Sequence, residues 1–194
     1  TEYLAEKDGQ DSLMILMSKD LKVATITTHI PISKVSKSLT RKKIAAKIEI
    51  LNKCLINDFN IKKPRIAVSS LNPHSGEEGS IGIEEINTIK PCVNYFKDRG
   101  IKIEGPLPAD TLFYKKNLDK FDARICMYHD QALIPLKTID FYGGINFTAG
   151  LSFVRTSPDH GTAFNLAGKN KANPKSLIYA IKQAFIISEN RKNK

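Results

Sequence analysis

The stretch ARICMYHDQ, residues 123–131, decides how the rest of the chain is interpreted, because an apolar run stops abruptly at a histidine and an aspartate. A short apolar run of this kind predicts a buried strand. Two similar runs, residues 23–28 and 65–71, are followed by His29 and by His74. The carboxyl ends of parallel strands meet at one edge of a sheet, so the pattern predicts that these side chains share one rim.

Helical patterns alternate with the predicted strands. The alternation predicts an α/β three-layer sandwich with a mixed, largely parallel sheet, whose ligand loops follow the strands. A first helix is capped by Ser38 or Thr40, and its buried face carries Ile44, Ile48, Leu51 and Leu55. A second runs from Ile83 through Ile86 and Ile89 to Phe96; it is kinked or restarted at Pro91 and stopped by Gly100. A last helix starts at Pro174 and is capped by Asn173, with Leu177, Ile181, Ala184 and Phe185 on one face.

The remaining segments are predicted as a hairpin, loops and one more strand. Residues 12–18 and 21–28 suit two strands joined by a tight turn. Residues 72–79 are polar and contain glycine, which predicts a loop. The strand 102–104 is expected to lead into a loop at 105–110, and residues 145–155 are expected to form one loosely alternating strand.

Composition restricts the class of protein. The chain has 194 residues, 41% of them hydrophobic, and a net charge of +10 that is concentrated at 34–47, 169–175 and 191–194. No nucleic-acid motif accompanies these basic residues, which are interpreted as solvated surface, so we expect no nucleic-acid partner. Without a membrane-spanning run or a targeting layout, no membrane association and a cytoplasmic location are expected. Cys54, Cys92 and Cys126 are scattered and are interpreted as reduced thiols.

Three histidines at strand ends suggest a metal site. Neutral imidazoles are common ligands of zinc and similar ions, and three of them leave positions open for a substrate oxygen. Each of His29, His74 and His129 taken alone is more often a hydrogen-bonded structural residue, and their spacing matches no local metal motif. Asp130 and Asp110 could orient an imidazole or complete the site, or could serve as turn and capping residues.

A second set of polar residues suggests an anionic substrate. Lys137, Asn146 and Arg155 each lie close to a predicted strand end. A lysine, an amide and a guanidinium together suit a phosphorylated or carboxylated molecule, whereas any one of them alone is equally explained as solvated surface.

Five motifs, together with the opening TEYLAEK, resemble the 4-hydroxythreonine-4-phosphate dehydrogenases of pyridoxal phosphate biosynthesis. The motifs run in family order over almost the whole chain: TTHIPI, SSLNPHSGEEGSIGIEEI, GPLPADTLF, MYHDQALIPLK and GINFTAGLSFVRTSPDHGTAFNLAGKNKANP. The resemblance implies a fold similar to isocitrate and isopropylmalate dehydrogenases. It implies NAD-dependent oxidation of 4-phosphohydroxy-L-threonine at its 3-hydroxyl, followed by decarboxylation to 3-amino-2-oxopropyl phosphate.

The resemblance also assigns roles to individual residues. It implies that His29, His74 and His129 hold one divalent ion, whether zinc, magnesium or cobalt. A metal-coordinated hydroxyl has a lowered pKa, and the ion would also stabilise the charge formed on decarboxylation. Lys137 or a water held by Asp110 could take the proton, and the sequence does not decide between these catalytic groups. The substrate-binding positions implied by the family are Thr1, Lys137, Asn146 and Arg155.

The dinucleotide is expected on an unusual loop. No G-x-G-x-x-G is present, so the common nucleotide-binding turn is excluded. The isopropylmalate dehydrogenases bind the adenosine end of NAD on a similar loop, and the resemblance implies NAD, or alternatively NADP, here. The implied cofactor-binding residues are His160, Gly161, Thr162, Ala163 and Asn173.

The resemblance carries expectations about assembly. Family members have a further N-terminal segment, so residues 1–194 are interpreted as a fragment of a two-domain dehydrogenase that is inactive alone. Residues of about 1–140 are expected to form the metal, substrate and dimerisation region. Residues of about 141–194 are expected to supply a strand, the NAD loop and the C-terminal helix. A homodimer with its active site near the interface is implied.

Three alternatives stay open at this level. A dehydrogenase of the same family that acts on erythronate or threonate 4-phosphate would share every motif. A metal-dependent hydrolase could use the same histidines to activate water, although the loop of residues 160–173 would then have no task. A basic nucleic-acid-binding module would show salt-sensitive binding to DNA or RNA.

Overall fold

The computed structural model describes residues 2–193, which fold around one seven-stranded sheet in the order β4–β3–β5–β2–β1–β6–β7. The strands are β1 Leu13–Met17, β2 Lys22–Thr25, β3 Arg65–Ser69, β4 Lys102–Leu107, β5 Ala123–Cys126, β6 Ile145–Ala149 and β7 Thr156–Pro158. The helices are α1 Glu2–Asp8, α2 Ile32–Ser38, α3 Arg41–Asn57, α4 Lys90–Lys97, α5 Ala109–Leu112, α6 His129–Ile139 and α7 Lys175–Lys192.

The sheet is mixed, with a parallel centre. β3 runs parallel to both β4 and β5, and β5 runs parallel to β2. β1 pairs antiparallel with β2 and with β6, and β7 is antiparallel to β6. β2, β3, β4 and β5 therefore end at one common rim, which confirms the predicted sheet and the hairpin formed by β1 and β2.

Helices cover both faces of the sheet, as a three-layer sandwich requires. Leu13, Ile15 and Met17 of β1 point into a core that α3, α4 and α7 share, and their neighbours Met14 and Leu16 point into a second core against α6. Successive side chains of a strand alternate between faces, and every residue of β1 is buried. β1 is apolar throughout because it is covered on both sides.

The starts of α3 and α7 agree with the sequence prediction, whereas α1, α2, α5 and α6 were not predicted. Thr40 caps α3 by accepting a hydrogen bond from the backbone N–H of Lys43 at 3.2 Å, and this satisfies one of the first donors of the helix. Asn173 Oδ1 accepts from the N–H of Lys175 at 3.0 Å at the start of α7. Pro91 stands in the first turn of α4, so it begins a second segment after the π-helical turn Glu85–Ile89.

One predicted helix face is exposed. Leu177, Ile181 and Phe185 of α7 do share a face, but they are 49%, 62% and 68% exposed. The side of α7 that packs on β6 and β7 carries Ser176, Ala180 and Ile187 instead.

The predicted loop at 105–110 is wrong. β4 continues through Gly105 and Pro106 to Leu107, which pairs with Ser69 of β3. Gly105 lies so close to β3 that an added Cβ would be 2.5 Å from the Val68 carbonyl oxygen, so this strand end requires glycine. α5 then occupies part of the remainder.

The predicted strand at 145–155 is also wrong, because the segment forms β6, a turn and the approach to β7. Gly150 turns the chain with φ of +92°, and an added Cβ there would be 2.3 Å from the Asp11 carbonyl oxygen. Likewise the apolar run at 123–128 leaves the sheet at Cys126, and α6 follows without a sequence signal that was recognised.

Two general expectations can be compared with the described residues. Within residues 2–193, no helix is both long and apolar enough to cross a membrane. Cys54, Cys92 and Cys126 are free and buried. Burial raises the pKa of each thiol, which agrees with their interpretation as reduced, inert side chains.

Candidate active site

The first turn of α6 is fixed to the rim of the sheet by Gln131. Its Oε1 accepts from the N–H of Met127 at 2.8 Å, and its Nε2 donates to the Ser70 carbonyl oxygen at 2.8 Å. Met127 follows β5 and Ser70 follows β3, so a buried amide joins the ends of two neighbouring strands. This places His129 at the rim, as its position after an apolar run predicted.

His29 and His129 are brought together at this rim. Their ring centroids are 5.7 Å apart and the planes are tilted by 48°. A small cavity of about 250 Å³ lies between them, lined also by Thr28, Tyr128 and Asp130. The segments meet because β2 and β5 are neighbours in the sheet.

Asp130 sets the orientation of His129. Its Oδ1 is 2.7 Å from Nδ1 of the imidazole, so an Nδ1–H donates to the carboxylate and the lone pair of Nε2 is left for a ligand. A carboxylate in this role is common where histidine binds a metal. The alternative of Asp130 as a turn residue alone is less favoured by this contact.

His74 lies on a left-handed turn rather than in an irregular loop. Residues 74–78 all have positive φ, between 41° and 79°, a conformation that residues other than glycine adopt at a cost of about 1–3 kcal/mol each. At Gly76, with φ of +79°, an added Cβ would be 2.6 Å from the Gly82 carbonyl oxygen and 2.8 Å from Oε2 of Glu85. The turn is therefore tightly enclosed.

Glu85 holds the approach to this turn. The side chain is buried, and its Oε1 accepts from the N–H groups of Leu71 and Asn72 at 2.7 and 2.8 Å. Its Oε2 accepts from Nδ2 of Asn72 at 2.8 Å. A buried carboxylate thus satisfies the donors that β3 leaves where it ends.

The three histidines do not form one cluster in a single chain. Within residues 2–193, no group of three or more His, Cys, Asp or Glu side chains is close enough to hold a metal ion. Asp110 and Asp130 line the same groove, which has a volume of about 370 Å³. Asp110 is carried by α5, and α5 packs against the turn that contains His74. The predicted triad stays a prediction, with two of its members adjacent.

Lys137 shares a groove with the predicted NAD loop. The groove, of about 510 Å³, is lined by Lys137 and by four of the five predicted cofactor-binding residues, His160, Gly161, Ala163 and Asn173. Nothing lies within 4 Å of the position of a Cβ on Gly161, so the backbone there is open to a ligand. These residues fit a dinucleotide in the groove, although Thr162 is not part of its lining.

Arg155 and Asn146 are adjacent on β6 and the approach to β7. Nη1 of Arg155 is 3.4 Å from Oδ1 of Asn146 and 3.2 Å from Oγ1 of Thr148. These contacts hold the guanidinium on one face of the hairpin. Thr1, the remaining predicted substrate residue, lies outside the described residues.

Sequence reasoning missed three residues that hold the site: Gln131, Glu85 and Asp159. Gln131 and Asp159 each stand beside a residue that was singled out, in the motifs MYHDQ and SPDHGTA. Glu85 gave no signal, because a buried carboxylate cannot be told from a surface one by its position on an amphipathic pattern.

A buried arginine fixes the segment beside Asp110. Arg124 in β5 is 1% exposed, and its guanidinium donates to the carbonyl oxygens of Asn117 and Leu118 at 2.6 and 3.0 Å. Burial lowers the pKa of Arg124. The cation ties the segment after α5 to the middle of the sheet, which steadies α5 at the rim.

Comparison with known proteins gives a consistent result. The model of the family described as pyridoxal phosphate biosynthetic protein PdxA matches residues 1–184. The chain is 47% identical over 193 residues to a 4-hydroxythreonine-4-phosphate dehydrogenase of Sulfurihydrogenibium sp., covering 99% of this chain and 59% of that protein. A protein of the same name from Bradyrhizobium diazoefficiens is 48% identical over 189 residues, covering 95% of this chain and 55% of that one. The chain thus spans less than two thirds of the curated relatives that it matches.

Solved structures agree in fold. A crystal structure of 4-hydroxythreonine-4-phosphate dehydrogenase from Klebsiella pneumoniae superposes with a TM-score of 0.86 at 41% identity, covering 96% of this chain and 56% of that one. A terephthalate 1,2-cis-dihydrodiol dehydrogenase from Burkholderia xenovorans superposes with a TM-score of 0.77 at 27% identity, covering 95% of this chain and 59% of that one.

Proposed function

Because this chain belongs to the PdxA family of pyridoxal phosphate biosynthetic proteins, we propose that it provides the metal and dinucleotide sites of a dehydrogenase. The substrate is 4-phosphohydroxy-L-threonine, which is oxidised at its 3-hydroxyl and then loses carbon dioxide to give 3-amino-2-oxopropyl phosphate. The observation that carries the proposal is the groove in which Lys137 faces the loop that begins at His160. A hydrolase would need no such groove.

The residues present fit the two groups that the reaction requires. His129, with Nδ1 held by Asp130, and the neighbouring His29 offer imidazole nitrogens to a divalent ion. His160, Gly161 and Asn173 line open space suited to the adenosine end of NAD. When bound, NAD supplies the hydride acceptor and the ion supplies a Lewis acid for the substrate oxygens.

The chain's own residues bind and orient the substrate. Arg155, steadied by Asn146 and Thr148, presents a planar cation that suits a phosphate or a carboxylate. Lys137 supplies a second cation in the dinucleotide groove. The proton of the 3-hydroxyl passes to a water at Asp110, which lies beside the Asp130–His129 pair, or to Lys137, whose ammonium must first lose a proton to act as the base.

Lys137 and His129 lie on one helix, at a separation that suits a metal ion and a dinucleotide in the same active site. Lys137 lies eight residues after His129 in α6, which is roughly 12 Å along a helix axis. His74 is not part of a three-ligand cluster among the described residues. We therefore infer a homodimer in which His29 and His129 of one copy meet His74 of the other, close to the two-fold interface.

Turnover tests the proposal directly. The full-length enzyme, with the N-terminal segment that the resemblance implies, is mixed with NAD, a divalent ion and 4-phosphohydroxythreonine, and the absorbance of the reduced cofactor is followed. Parallel reactions contain erythronate 4-phosphate, threonate 4-phosphate or a cis-dihydrodiol, since one structural neighbour is named for a dihydrodiol. Preference for any of these three over the phosphohydroxythreonine would replace the proposed substrate, and reduction of NAD with none of the four would overturn the proposal.

A further inference from the structure

Lys137 is held by a residue to which no role has been assigned. Its Nζ lies 2.9 Å from Oδ2 of Asp159 as an ion pair, and it also donates a hydrogen bond to the backbone carbonyl oxygen of Asp159. The same Nζ lies 5.4 Å from the centroid of the Phe141 ring. The ammonium of Lys137 therefore contacts two oxygens of Asp159, one from the carboxylate and one from the backbone.

Asp159 is itself anchored from behind. Its N–H donates to Oγ of Ser176 at 3.1 Å, and that hydroxyl donates to the Gly144 carbonyl oxygen at 2.6 Å. Ser176 is buried in the first turn of α7, and Gly144 directly precedes β6. A relay of three groups therefore fixes the backbone of Asp159 to two elements of the core.

The environment of the carboxylate separates this contact from an ordinary surface ion pair. The Asp159 side chain is 15% exposed, whereas that of Lys137 is 26% exposed. Oδ2 of Asp159 is buried and accepts no hydrogen bond of regular geometry within residues 2–193, so the charge of Lys137 is its main compensation. A buried charge without a partner is costly, so removal of Lys137 would leave Oδ2 of Asp159 uncompensated.

Asp159 also connects the end of the sheet to the predicted cofactor loop. It lies between β7 and His160, the first residue of the loop that lines the groove. We propose that Asp159 is a positioning residue: it fixes the ammonium of Lys137 in the dinucleotide groove and makes that position depend on the loop that holds the cofactor. This role rests on the proposed function, since it gives Lys137 a task in that groove.

The position of Lys137 can be measured without turnover. Purified wild-type protein and Asp159→Asn are treated with acetic anhydride, and the rate of acetylation at each lysine is followed by mass spectrometry. Lys137 is expected to react several-fold faster in the variant, because its amine is released, while Lys192 is expected to react equally in both. The control Asp122→Asn removes another ion pair, with Arg65, that lies outside the groove.

Kinetics then show whether Asp159 acts through Lys137. In the wild-type background, Asp159→Asn is expected to lower kcat/KM by about 10- to 100-fold, the scale of misplacing a reacting group by about 1 Å. In a Lys137→Met background the same change is expected to have little further effect. Ser176→Ala, which loosens Asp159 but keeps its carboxylate, is expected to be intermediate and serves if Asp159→Asn does not fold.

The outcomes separate the two proposals. Equal acetylation of Lys137 in wild type and in the Asp159 and Ser176 variants would overturn the positioning role. Equal losses of kcat/KM from Asp159→Asn in both backgrounds would do the same, because they would indicate a structural effect unrelated to Lys137. If no substrate is oxidised, the proposed function is wrong, and the acetylation result alone decides whether Asp159 fixes Lys137.

Discussion

His29 and His129 lie with ring centroids 5.7 Å apart, although His29 is in the loop between β2 and α2 and His129 begins α6. The contact exists because the hairpin of β1 and β2 inserts β2 beside β5 in the centre of the sheet. Nδ1 of His129 is held by the carboxylate of Asp130, and this contact leads to the first prediction.

Asp130→Asn is expected to weaken divalent metal binding by about 10- to 100-fold, because the amide is a poorer acceptor for the Nδ1–H of His129 and leaves the imidazole less basic. Titration with Co²⁺, followed by its visible absorption, measures the affinity. Asp98→Asn, an exposed change after α4, is the matched control. Equal affinities of the Asp130 variant and wild type would remove His129 from the metal site.

Mixing two inactive variants is expected to restore metal binding. If the site joins His29 and His129 of one copy to His74 of another, His29→Ala and His74→Ala homodimers each lack a ligand at every site. A mixed dimer has one complete site and one site that lacks two ligands. After subunit exchange, Co²⁺ binding and turnover should recover to at most half of the wild-type value per mixed dimer. No recovery, with exchange shown by mass spectrometry, would indicate that each site is built within one chain.

Gly161→Val is expected to raise the KM for NAD more than the KM for substrate. No atom of the protein lies within 4 Å of the position of the new Cβ, so the variant should keep its Tm, and any loss reflects contact with the cofactor. Gly161→Ala should give a smaller effect in the same direction. Equal changes in both KM values would place the adenosine end elsewhere.

Gly76→Ala is expected to destabilise the protein more than Gly9→Ala does. Both glycines have positive φ, +79° and +65°, but only at Gly76 does the new Cβ meet other atoms, at 2.6 Å from the Gly82 carbonyl oxygen. Gly9→Ala therefore reports the backbone cost alone, about 1 kcal/mol. Denaturant unfolding measures the difference, and equal free energies of unfolding would show that the turn of His74 relaxes freely.

Asp122→Asn is expected to make the free energy of unfolding less dependent on acid pH. Burial by itself would raise the pKa of Asp122, but hydrogen bonds from the side chain and backbone of Arg65 lower it overall from 3.8. A lowered folded pKa adds stability that is present above pH 3.8 and is lost as pH falls through the folded pKa. Below about pH 4 the wild type should therefore lose stability faster than the variant. The effect should be small, because Arg65 is half-exposed.

The layers of the fold could be predicted because they depend on patterns along one segment. The burial of Ile44, Ile48 and Leu51 follows from helical spacing, and the strand of Ile66 follows from an apolar run. The extension of β4 through Gly105 could not be predicted, because the glycine is required by the Val68 carbonyl of another strand. α6 was missed because its Pro135 argues against a helix in the sequence.

The candidate site was predictable in its residue types and only partly in its grouping. Strand ends placed His29 and His129 together because β2 and β5 are neighbours, which the order of strands along the chain does not reveal. The approach to the left-handed turn that carries His74 is held by Glu85, whose hydrogen-bond partners Leu71 and Asn72 lie 14 and 13 residues earlier in the chain. Lys137 and Asp159 are 22 residues apart in the sequence, so only the folded chain brings them into contact.

The pairing of β1 with β6 has a consequence for the synthesis of the chain. Leu13 pairs with Ala149 and Met17 with Ile145, so β1 must wait for a strand that is synthesised much later. At roughly 5–20 residues per second, β1 leaves the ribosome on the order of 10 s before its partner exists. During that interval β2 can pair with one edge of β1, while the other edge lacks the partner that β6 later provides. We therefore expect the nascent chain to expose this short apolar edge until β6 is made, and the long-range pairing to slow its folding.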